Sequence, residues 1–94
     1  MKNYAVIFEY SFDDEISVYL FETEEQAKKF LKESFEEEVR IDREENGWDT
    51  NASIDEDGWA AYIFNRFEDR IDTIYMKIGN IYQQKKGVWF TNET

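Results

Sequence analysis

Residues 23–41, TEEQAKKFLKESFEEEVRI, are the segment around which the rest of the chain can be placed. Thr23 followed three residues later by Gln26 forms a capping box: the threonine hydroxyl accepts from the Gln26 amide and the glutamine side chain reaches back, so a helix starts here. Ala27, Phe30, Leu31, Phe35, Val39 and Ile41 then fall within about half of a wheel of roughly 3.6 residues per turn, a stripe broad enough to cover a sheet. On the outer face Glu25 is placed to pair with Lys29 and Glu36 with Arg40, each pair worth only a few tenths of a kcal/mol. Two ends are open to the helix. It closes at Asn46-Gly47, or it stops near Val39 and leaves Arg40 to Glu45 as loop.

Period-two patterns flank this helix. Tyr4, Val6, Phe8, Tyr10 and Phe12 alternate with a smaller, more polar set, and Ile16, Val18 and Leu20 share a face after the acidic triplet Asp13-Asp14-Glu15, which reads as a hairpin turn. After the helix, residues 51–55 and 59–67 form a second hairpin around Glu56-Asp57-Gly58, where Asp-Gly supplies the positive backbone angles of a tight turn. Ile74, Met76 and Ile78 again share a face. Gly79-Asn80 is either a turn into one more strand or a bulge within a longer one, and residues 83–94 are either a last hairpin arm or a tail. The expected fold is α+β, in the order β-β-α-β-β-β: one amphipathic helix on one face of an antiparallel sheet of about five strands.

Ninety-four residues make a single domain, residues 1–94. Seventeen aromatics supply core bulk that so short a chain otherwise lacks. Cysteine and histidine are both absent, which removes disulfides, structural zinc, thiolate nucleophiles and the imidazole of most hydrolytic triads. The first apolar run, Tyr4 to Phe8, is broken by Glu9 and is too short for a signal-peptide core. No stretch approaches the roughly 18 apolar residues of a membrane span. A cytoplasmic protein is expected.

The residues that could carry chemistry were weighed against their plainer readings. Asp42, Glu44, Asn46 and Gly47 open like a calcium loop, but Asp49 stands where a hydrophobe belongs and Ser53 where a bidentate Glu is needed. No lysine is preceded two positions earlier by Glu, so a nuclease pattern of that form is missing. With 22 carboxylates, a glycosidase-like pair arises by chance alone. Gly47, Gly58, Gly79 and Gly87 are too dispersed to cradle a phosphate. Trp48 and Trp59 lie among acids, whereas platforms for single-stranded nucleic acid lie in basic grooves, so both read as core aromatics. The expectation is therefore no catalytic residue, no metal, no cofactor and no enzyme.

Charge is the feature that departs from an ordinary small domain. The chain carries a formal −11; residues 1–57 hold 18 acids and 6 bases, residues 58–94 hold 4 acids and 5 bases. Such a balance disfavours direct contact with nucleic acid or anionic membrane and favours basic partners. The plain account is solubility. Against it stands the crowding of Asp42, Glu44 and Glu45 into the final helical turns, where the macrodipole favours cations, with Glu38, Asp42 and Glu45 on the side of the apolar stripe. In composition the chain resembles the small, acidic, cysteine-free proteins of phages and mobile elements that inhibit nucleases by mimicking DNA.

The function expected from this is a non-enzymatic binding protein, an inhibitor or DNA mimic that occupies a basic nucleic-acid-binding site on another protein. The acids expected to replace phosphates are Asp13, Asp14 and Glu15 at the first turn, Glu36, Glu37, Glu38, Asp42, Glu44 and Glu45 along the helix, and Asp55, Glu56 and Asp57 at the second turn. An immunity or antitoxin-like protein that neutralises a basic toxin is the alternative. A third is a small-ligand or carboxylate-based catalytic domain with a pocket between helix and sheet.

Overall fold

The computed structural model describes residues 2–14, 16–67 and 69–81. Strands β1 (Tyr4–Tyr10) and β2 (Ile16–Phe21) precede helix α1 (Glu24–Arg40), which runs on through one π-helical turn (Ile41–Glu45) into β3 (Asp49–Ile54), β4 (Ala60–Phe67) and β5 (Arg70–Asn80). All neighbouring strands are antiparallel, in the order β2-β1-β5-β4-β3. This is the α+β layer expected, with β5 inserted at the centre. Residues 83–94, read as a hairpin arm or tail, lie outside the described residues, as does Glu15.

The helix begins where the capping box places it: the Gln26 amide donates to Thr23 Oγ1 at 3.2 Å, and Gln26 Oε1 accepts from the Thr23 amide at 3.3 Å. Its far end is the longer of the two expected, at Asn46-Gly47, but the last turn is π-helical rather than α-helical. The π-helical turn follows Arg40 without a break, and its closing bonds run from the Asn46 amide to the Ile41 carbonyl at 2.9 Å and from the Trp48 amide to the Asp42 carbonyl at 2.8 Å. Gly47, at φ +67°, then turns the chain into β3. On the outer surface Lys28 pairs with Glu24, while Arg40 pairs with Glu37 and Glu45 in place of Glu36.

The core lies between α1 and one face of the sheet. Ala27 and Leu31 of the helix meet Val6, Phe8, Ala61, Ile63, Ile74, Met76 and Ile78, all buried, with Phe30, Phe35 and Val39 packed at the margin. Burying this set removes several large apolar side chains from water, each worth roughly 1.5–3 kcal/mol. Gly79 and Asn80 are neither turn nor bulge: they pair in register with Ala5 and Tyr4, extending β5 to eleven residues.

On β2 the alternation holds, and the face shared by Ile16, Val18 and Leu20 is the one turned away from the helix. Register with β1 puts Ser17, Tyr19 and Phe21 toward the helix, where Tyr19 and Phe21 meet Phe30 at ring separations of 4.8 and 5.0 Å. Ile16, Val18 and Leu20 lie on the opposite face and are exposed, although Ala5 and Ile7 beside them on that face are buried. Aromatic bulk next to Phe30 decides which face turns inward here, because the helix margin needs side chains long enough to reach it. Among the described residues no helix is long and apolar enough to cross a membrane.

Candidate functional site

Three buried polar residues of the described strands break the inward apolar pattern, and the register aligns them. Thr50 of β3 lies opposite Asn65 of β4, which lies opposite Asp72 of β5. Each follows or precedes an apolar inward series, Ala52 and Ile54, Ala61 and Ile63, and Ile74, Met76 and Ile78. A polar row therefore crosses three adjacent strands beneath the end of the helix, and all three side chains are buried.

The π-helical turn brings Asp42 down onto this row. Asp42, expected among the acids facing a partner, is only 1% exposed. Its Oδ2 accepts from Asn65 Nδ2 at 2.6 Å, and Asn65 Oδ1 accepts in turn from Thr50 Oγ1 at 2.9 Å. A buried carboxylate needs such donors, since leaving one unsatisfied costs several kcal/mol. Arg43 helps hold the turn by donating from Nη2 to the Thr50 carbonyl at 3.0 Å.

Glu38, one helical turn earlier, completes the chain of side chains through a hydrogen bond with Asp42. Its carboxyl is pushed up to about 7, first by burial, then by that hydrogen bond and by the negative charge of Asp42 and Glu37. Among the described residues no lysine or arginine nitrogen lies within ion-pairing distance of Glu38 or Asp42. The acid crowding read from the sequence is thus real, but its centre is an internal pair, relieved by a proton and by Asn65.

Beside this pair opens a cavity of 390 Å³, lined by Glu38, Asp42, Asn65 and Asp72 on its polar side and by Tyr10, Phe12, Trp48 and Ile74 on its apolar side, with Asn46 and Arg70 completing the wall. Burial raises the Tyr10 phenol above its ordinary value; a hydrogen bond with Ser17 opposes this, and Tyr19, Glu38 and Asp13 add to it. Arg70 reaches Asp72 Oδ2 from Nη2 at 3.4 Å at the exposed rim. Half-exposed Phe12 and the partly exposed Trp48 frame the mouth.

The other expected acids fall into two groups. Asp13 and Asp14, exposed in the β1–β2 turn, and Glu36, Glu37, Glu44 and Glu45, exposed on the closing turns of the helix, share the end of the molecule that holds the cavity. Two of them are tied to Arg40, whose guanidinium is held charged by Glu37 and Glu45 while it lowers the Glu37 carboxyl. Asp55, Glu56 and Asp57 lie at the opposite end. Their turn adjoins the start of the helix, where Lys28 packs against Gly58 and its ammonium sits 5.2 Å over the Trp59 ring. A seven-residue β1 at roughly 3.3 Å per residue separates the two ends by about 20 Å.

Of the two tryptophans read as core aromatics, Trp59 packs against the core and against Tyr4, whereas Trp48 lines the cavity and is only partly buried. Among the described residues no group of three or more carboxylates is arranged to hold a metal ion. Thr50, Asn65, Asp72 and Tyr10 were not among the expected site residues; a polar residue interrupting an inward apolar series was the signal available for the first three. No known protein family, curated protein or solved structure matches the chain.

Proposed function

We propose that the chain is a non-enzymatic binding protein whose acidic end, where α1 closes, engages a basic site on another protein. One observation supports this reading: carboxylates from the β1–β2 turn, the helix and its π-helical turn converge at that end, while the basic side chains nearest them are already engaged. Arg40 holds Glu37 and Glu45, Arg43 the Thr50 carbonyl, and Arg70 Asp72. The remaining field is negative and would accelerate association with a positive surface. Occupation of a nucleic-acid-binding cleft is the narrower form of the proposal, in which exposed carboxylates replace phosphates. Neutralisation of a basic toxin uses the same surface with shape setting the choice of partner.

The two acidic ends supply the test. Partner capture from a lysate of the source organism is compared for the native chain, for E36K/E37K/E44K and for D55K/E56K/D57K, with DNA added as competitor. The expected outcome is a basic protein retained by the native chain and the second variant, lost by the first, and released by salt. Competition by DNA selects a nucleic-acid-binding cleft over other basic surfaces. Equal retention by all three proteins would reduce the charge to a solubilising coat.

A further inference from the structure

The acidic end is not a uniform coat, because it contains a half-open cavity with two unlike walls. We propose that this cavity receives a single guanidinium group, the side chain of an arginine on the basic partner; the inference rests on the acidic-end reading and names the group that anchors it. Three features of the cavity point to that chemistry together. Glu38 and Asp42 face it as a carboxyl pair, and Arg70, the one cation among its lining residues, is engaged with Asp72. Tyr10, Phe12 and Trp48 supply aromatic surface on the other side. At 390 Å³ the space is at the small end of ligand cavities, about 300–1,000 Å³, and suits a side chain rather than a nucleotide.

A guanidinium fits these walls better than an ammonium does. It is flat and weakly hydrated, stacks on aromatic faces and spreads five donors over one plane, so it can face carboxyls at its edge while its face lies on a ring. An ammonium is a compact, strongly hydrated point charge that would have to shed more water to enter. An anion is refused by the same carboxyls. The Thr50–Asn65–Asp42 chain of hydrogen bonds is already formed, so the acceptor geometry is set before a ligand arrives, which lowers the ordering cost of binding.

Without a cation the carboxyl pair keeps a proton on Glu38 near neutral pH; an entering guanidinium displaces it. Groups facing Glu38 are Asp42 on the π-helical turn, Glu37 on its own helix and Tyr10 on β1, with Asp13 of the β1–β2 turn beyond Tyr10 and Asp72 and Arg70 of β5 across the cavity. Only Arg70 among these is cationic, and it is engaged with Asp72. Binding is therefore linked to proton release, and affinity rises as Glu38 ionises.

The experiment titrates the isotopically labelled chain with N-acetyl-arginine-amide and follows amide, Asn65 side-chain and Trp48 indole resonances. N-acetyl-citrulline-amide, N-acetyl-lysine-amide and free arginine run in parallel. Saturable shifts at Asn65 and Trp48 are expected with the arginine amide, none with uncharged citrulline, and weaker binding with lysine. Free arginine should also bind more weakly, because its α-carboxylate meets an acidic mouth. Affinity should increase roughly tenfold from pH 6 to pH 8, with calorimetry in two buffers reporting a released proton. E38Q should weaken binding and abolish its pH dependence, with the fold verified by the dispersion of its spectrum; W48L should weaken binding and retain the pH dependence.

Equal binding of citrulline and arginine amides, no saturable shift with the native chain, or an unaltered pH dependence in E38Q would overturn the proposal. Tighter binding of free arginine would overturn the assignment to a partner's side chain. If no arginine compound binds while E36K/E37K/E44K still loses its partner, the cavity inference fails and the acidic-end reading stands.

Discussion

Glu38 and Asn65 flank Asp42 in one short hydrogen-bonded chain, and their replacement should move stability in opposite directions. The Glu38 carboxyl is raised from its ordinary 4.5 to about 7, so between those values the folded chain binds more protons than the unfolded one. Stability linked to Glu38 is thus full below about pH 4.5 and is lost as pH rises through 7. E38Q keeps a neutral side chain at all pH and should flatten this part of the profile, gaining about 1–2 kcal/mol over the native chain at pH 8. That figure is below what the whole shift implies because Glu38 is half in water. Chemical denaturation at pH 5, 6.5 and 8 measures it, and an unchanged profile in E38Q would place the titration elsewhere. Asn65→Ala should cost about 2–4 kcal/mol, since it removes the donor to Asp42 and leaves a buried carboxylate exposed to apolar surroundings. A cost below about 0.5 kcal/mol would mean that water replaces the amide.

Among the elements, the helix was the most legible, because a capping box and a stripe of period 3.6 are local signals that depend on residues three and four apart. Leu31, fully buried at its centre, should cost about 2–5 kcal/mol when changed to Ala. Thr23→Ala should remove about 1 kcal/mol with the loss of the cap. β2 was less legible. Alternation puts Ile16, Val18 and Leu20 on one face but does not say which face meets the helix, and Tyr19 and Phe21 are the side chains that meet Phe30. Val18→Lys is therefore expected to change stability by less than about 0.5 kcal/mol, while Tyr19→Ala costs more than 1 kcal/mol through lost packing on Phe8 and Phe30 at 5.5 and 4.8 Å. Equal costs for the two variants would assign the aliphatic face to the core. At the other end of the helix, a wide π-helical turn was invisible in the sequence, since it shares residue preferences with an ordinary last turn and is selected by what lies beneath it.

For the molecule as a whole, the formal charge of −11 is a repulsive load that salt should relieve. Raising sodium chloride from 0.05 to 0.5 M should increase the melting temperature by roughly 4–8 °C, corresponding to about 1 kcal/mol in a domain of this size. E36K/E37K/E44K should begin from a higher melting temperature at low salt and respond less. A melting temperature indifferent to salt in the native chain would show that ion pairs such as Arg40 with Glu37 and Glu45 already balance the acidic end. The same comparison separates charge that burdens the fold from charge that recruits a partner, because exposed pairs contribute little to stability while strongly affecting association.

The amino-acid sequence by itself determined the order of elements, the start of the helix, the Asp-Gly hairpin and the inward series Ile74, Met76 and Ile78, because each depends on short-range sterics or on a single period. Only the tertiary structure decided that β5 enters the sheet between β1 and β4. That insertion sets the register of Thr50, Asn65 and Asp72, three residues that look unremarkable apart and form one polar row when paired. It also decided that Asp42, one acid among 22, turns inward onto that row while its neighbours stay in water. The physical reason is the same in both cases: a carboxylate or amide is stable in an interior only opposite a partner, and partners 15 and 23 residues apart meet only after the sheet has formed.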